Sequence, residues 1–67
     1  MSVKKIIEIS SVSNESFSDA VSQGLKRTAK TVKNISCAEI VKQYVCMENE
    51  EIIHFHVDMK VRFEVND

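Results

Sequence analysis

His54, His56 and Asp58 stand at every second position of one segment, which puts two imidazoles and a carboxylate on one face of an extended chain, about 7 Å apart along the backbone. Two imidazoles so placed can share a zinc ion, with the carboxylate as a third ligand. A bare His-x-His needs further ligands from elsewhere, so this trio is an alternative site for a metal ion, zinc or calcium. Cys37 and Cys46 lie an odd number of residues apart in what reads as one strand, so they are expected on opposite faces and about 30 Å apart. With no signal-type segment and no apolar run of membrane length, they read as reduced, buried thiols of a cytoplasmic protein. No local signature joins either thiol to a histidine, and the single glycine, Gly24, cannot build a phosphate-cradling loop. An enzyme is therefore not expected. Lys26, Arg27, Lys30 and Lys33 read as a solvated helix end, and a net charge of −1 gives no general pull towards nucleic acid or an anionic membrane.

The elements that must position these groups begin with the histidine segment itself. From Ile53 to Val65 every odd residue is apolar, and from His54 to Glu64 every even one is polar, the pattern of a half-buried antiparallel strand. Such a run would stretch about 44 Å, whereas a compact globule of this length is only about 28 Å across. The strand must curl, overhang, or pair with another copy, so homo-oligomerisation is expected before any relative is considered. Val3 to Ile9 reads as a first strand, ended by a polar break at Ser10, Ser11, Ser13 and Asn14. Ser13 or Asn14 can cap a helix whose apolar stripe runs from Phe17 to Val32, with Asn34 as its left-handed stop. Gly24 lies within that stripe, where close approach of helix and sheet explains it.

Ile35 to Met47 reads as a second strand with apolar residues on both faces: Ala38, Ile40, Tyr44 and Cys46 on one, Ile35, Cys37, Val41, Val45 and Met47 on the other. One helix covers one face, and the other needs a surface from outside the subunit. Glu48 to Glu51 forms a hairpin turn centred on Asn49, which gives the order β-α-β-β in one domain spanning residues 1–67. With the turn between Asn49 and Glu50, Glu39 faces Lys60 as a cross-strand ion pair, Cys37 lies near Arg62, and His56 near Gln43. Cys37 and His56 are then about 20 Å apart, so a small ligand touching both would sit between chains.

At this point the chain resembles the dodecins, and the resemblance covers nearly all of it. It rests on Lys5-Ile6-Ile7-Glu8-Ile9 with its serine-rich sequel, on Lys30-Thr31-Val32-Lys33-Asn34-Ile35, on Ala38-Glu39-Ile40-Val41, and on Val57-Asp58-Met59-Lys60-Val61-Arg62-Phe63. The resemblance implies an α+β fold in which a three-stranded antiparallel sheet partly wraps one helix. It also implies a hollow homododecamer and a flavin, riboflavin or FMN, as cofactor. In flavin-binding dodecins a tryptophan stands at the place of Cys37 and sandwiches stacked isoalloxazines across a two-fold axis, and a glutamine at the place of His56 bonds the ring edge. The candidate flavin contacts are accordingly Cys37, Glu39, Gln43 and His56. A thiol has no π-face, and an imidazole cannot copy an amide's paired donor and acceptor. The readings are thus a flavin-storing shell, a metal-binding shell, or a purely structural assembly.

Overall fold

The computed structural model describes residues 3–65, which form β1 (Val3–Ser13), α1 (Phe17–Ala29), β2 (Ile35–Glu48) and β3 (Glu51–Val65). The strands make one antiparallel sheet in the order β1-β3-β2, so the long alternating strand lies in the centre, as expected for a β-α-β-β, α+β chain. Its odd residues Val57, Met59 and Val61 are fully buried together with Ala20 of α1, while Ile9, Phe17, Val21 and Leu25 close round them. Phe17 meets Phe55 edge to face, ring centroids 5.1 Å apart. The helix covers only the middle of β3. The chain extends over 52 × 20 × 13 Å with a radius of gyration of 13.9 Å, against about 11 Å for a compact globule of this length. Of the three ways out for an overlong strand, a single subunit takes the overhang.

Three boundaries differ from the sequence reading. β1 continues through the serines to Ser13, because Ser10 and Ser11 find ladder partners in Asp58 and Val57, and the Ser10 hydroxyl donates to Asp58 Oδ1 at 2.7 Å. The N-cap is Ser16, whose Oγ accepts from the Asp19 amide at 2.9 Å. Ser13 instead locks strand to helix: its hydroxyl donates to Asp19 Oδ2 at 2.6 Å and accepts from the Glu15 amide at 2.9 Å. The helix stops at Ala29, after which the Thr31 and Val32 amides turn back on the Thr28 carbonyl at 3.1 and 2.9 Å. Asn34 is left-handed, φ 64°, but it launches β2, its carbonyl accepting from the Glu64 amide at 3.0 Å.

Gly24 sits where helix and sheet come closest. A Cβ built there would stand 2.8 Å from Ser11 Cβ and 3.2 Å from Met59 Cε. Ser11 Cβ is fixed to the backbone and cannot rotate away, so the about 1–3 kcal/mol of overpacking outweighs the about 1 kcal/mol that alanine gains in helix propensity. Gly24→Ala should lower the thermal midpoint in a circular-dichroism melt, and Ser11→Gly should return part of the loss. A raised midpoint for the single variant would show that the contact relaxes freely.

The β2–β3 hairpin turns through Asn49 and Glu50, φ 52° and 67°, a two-residue loop with both residues left-handed. As expected, Glu39 faces Lys60 and Cys37 faces Arg62. Beyond them the register departs over one stretch: it shifts between Ile40 and Lys42, which leaves Val41 as an extra residue, and shifts back between Cys46 and Met47. His56 therefore faces Tyr44, and Gln43 faces Val57. The slip also brings Cys46 opposite His54, so both cysteines, free thiols, share one face. The expectation that α1 covers one face of β2 is corrected as well: the helix lies on β1 and β3, and Ile40, Val41, Val45 and Met47 are exposed.

Candidate functional site

The even-numbered face of β3, away from the helix, collects the candidate residues in rows across the sheet. Ile6, Arg62 and Cys37 form one row, Glu8, Lys60 and Glu39 the next, then Ser10, Asp58 and Lys42, then Val12, His56 and Tyr44. The ion pair expected between Glu39 and Lys60 is made diagonally by Arg62 instead, Nη1 to Glu39 Oε1 at 3.0 Å. Arginine's longer fork reaches the diagonal neighbour two residues along the strand, which a surface pair worth a few tenths of a kcal/mol readily permits.

His56 and Tyr44 lie stacked, ring centroids 4.7 Å apart and planes within 9°. The sequence reading placed Tyr44 on the face opposite Cys37; the bulge at Val41 turns it onto the same face. A signal for the slip exists in Ile40-Val41-Lys42-Gln43, where two apolar residues and then two polar ones interrupt the alternation. Of the four candidate flavin contacts, Cys37, Glu39 and His56 share this face, while Gln43 lies on the other, opposite buried Val57. The expected burial of the two thiols is corrected: at the overhanging edge strand Cys37 is exposed and Cys46 only half-buried, and the six steps along β3 from the row of Cys37 to that of His56 span about 20 Å.

The metal-ligating trio does not close within one chain. His54 and His56 stand edge to face at 6.0 Å, and Asp58 is engaged by Ser10. Among the described residues no three His, Cys, Asp or Glu side chains converge on a point that could hold an ion. Cys46 faces His54 across the strands, a neighbour that alternation without the bulge misses. Lys26, Arg27 and Lys30 line an open groove beside Ser10, Ser11 and Val12, and Lys33 Nζ donates to the Ala29 carbonyl at 3.4 Å. They complement the negative helix end as expected. No described helix is long and apolar enough to cross a membrane.

The overhanging hairpin, the single helix and this two-sided sheet coincide with a known family: the dodecin model matches residues 3–66. The chain belongs to the dodecin family. Among solved structures it is similar to the dodecin from Streptomyces davaonensis, with 26% identity over 98% of this chain and 97% of that one and a TM-score of 0.94. It is similar too to an arginine-to-alanine variant of the T. thermophilus dodecin, with 21% identity, full coverage of both chains and a TM-score of 0.95. A third likeness is to the calcium dodecin of Mycobacterium tuberculosis, described as a calcium-chelating antigen, with 23% identity over 96% of this chain and 91% of that one and a TM-score of 0.83. No curated protein sequence matches the chain.

Proposed function

We propose that this dodecin is a non-catalytic, cytoplasmic storage or buffering protein, a hollow homododecamer that holds flavin, riboflavin or FMN, between its subunits. The observation that carries the reading is the overhanging β2–β3 hairpin, which exposes Ile40, Val41 and Val45 and carries the Tyr44–His56 stack on the same face as Cys37 and Glu39. Apolar residues exposed along both faces of one strand call for a second copy of the chain. Isoalloxazine is flat and apolar on its faces, with donors and acceptors along its edge. Tyr44 offers a flat ring, and the nitrogens of His56 can donate or accept one bond each. Cys37 supplies no ring, and Gln43 lies on the other face, so it would reach a ligand only from a neighbouring subunit. A bound flavin would supply a redox-active, light-absorbing ring, which these residues hold and shelter.

Protein purified without added ligand is expected to absorb near 450 nm, where oxidised isoalloxazine absorbs and no side chain does. Light scattering at micromolar concentration should give a mass of roughly twelve chains. A stable monomer would remove the shell. A colourless assembly with stoichiometric calcium or zinc by elemental analysis would favour the metal-binding reading, and a colourless, metal-free one the structural reading.

A further inference from the structure

We infer that Tyr44, seated on His56, is the aromatic platform of this chain, against which a planar heteroaromatic ligand of the isoalloxazine class stacks; this rests on the flavin reading above. The 4.7 Å between the two ring centroids is close to the spacing of adjacent strands, about 4.8 Å. With planes only 9° apart, the rings therefore stand up from the sheet side by side, one on each strand. His56 occupies the inner face of Tyr44. The outer face looks past β2, which is an edge strand with no further strand beside it. Tyr44 is 44% exposed, whereas His56 is half-buried between Val12 and Tyr44 in its row.

A phenol standing free at a sheet edge would lose χ freedom for nothing, but one braced by a parallel ring is already oriented and gives up little more on binding. Cys37 lies seven residues away along β2, about 23 Å, so from one chain the two positions cannot touch the same ring. The shift of the aromatic surface from the place of Cys37 to Tyr44 follows from the bulge at Val41 alone, since without it Tyr44 would face the other way.

The test is a titration of riboflavin fluorescence with the assembled protein and its variants, each checked for mass by light scattering. Wild type should quench the flavin. Tyr44→Val, chosen because a β-branched residue keeps the strand, should weaken binding about 5- to 150-fold, the range for loss of one aromatic stacking surface. Tyr44→Phe should stay within about threefold of wild type, because the face and not the hydroxyl makes the contact. Quenching by wild type with equal affinity in Tyr44→Val would overturn the platform and leave the flavin reading standing. No quenching by wild type would overturn both. If Tyr44→Val fails to assemble, Tyr44→Trp decides the matter: its larger face should tighten binding, and unaltered or weaker binding in an intact assembly would overturn the inference.

Discussion

Val61→Asp is expected to leave the chain unable to fold. Val61 is fully buried in the centre of β3, between Ile7 on β1 and Ala38 on β2, with Met59 two residues away on the same face. Aspartate there would lose the transfer energy of the valine and place a carboxylate among aliphatic groups, a burial that costs several kcal/mol even after the group neutralises itself. A chain of this length has a total stability of about 3–10 kcal/mol, so the substitution consumes most or all of it. His54→Ala, on the exposed end of the other face, should change the melting temperature little, and Phe63→Ala should fall between the two because Phe63 is only half-buried in one subunit. Far-ultraviolet circular dichroism and thermal melts of the three variants check the order. A folded Val61→Asp with an unfolded His54→Ala would mean that the two faces of β3 are reversed.

The centre of the fold was legible because one covered face imposes a strict period of two on β3, and Val57, Met59 and Val61 follow from it directly. The turn was legible too, through Asn49, a residue type that tolerates positive φ, although Glu50 beside it is left-handed as well without that preference. The serines were misjudged for a physical reason: in isolation Ser10 and Ser11 favour turns by bonding their own backbone, but beside β3 they pair with Asp58 and Val57, and Asp58 takes the Ser10 hydroxyl, while Ser13 at the strand's end does accept from the nearby Glu15 amide. The candidate site failed over one stretch, between the register shift at Ile40 and Lys42 and the one at Cys46 and Met47. Facing along a strand is a cumulative count, so the one extra residue at Val41 reverses the side chains within that stretch, sending Tyr44 and Cys46 to the face of Cys37 and removing Gln43 from it. Cys37 and Glu39, before the bulge, kept their places opposite Arg62 and Lys60.

That asymmetry makes Cys37 the position where ligand binding can be engineered on secure geometry. Cys37→Trp is expected to strengthen riboflavin binding about 5- to 150-fold, since a ring pair stacked on indoles across a two-fold axis could gain about 1–3 kcal/mol. Within one subunit nothing obstructs the bulk: Cys37 is exposed, and its neighbour Arg62 is held by Glu39 at 3.0 Å, a guanidinium over which an indole can lie. Adding His56→Gln then separates two contributions. It supplies an amide's paired donor and acceptor, but it also removes the ring that braces Tyr44. If edge hydrogen bonding dominates, the double variant binds more tightly than Cys37→Trp alone; if the braced phenol dominates, it binds more weakly. Both should still be measured as quenching of riboflavin fluorescence, because stacked indole and phenol rings pass an electron to the excited flavin and take it back. Should Cys37→Trp assemble to the wild-type mass yet leave riboflavin undimmed across the micromolar range, no flavin-sized gap lies between the subunits at that position, and the metal-binding or structural reading becomes the better account of the shell.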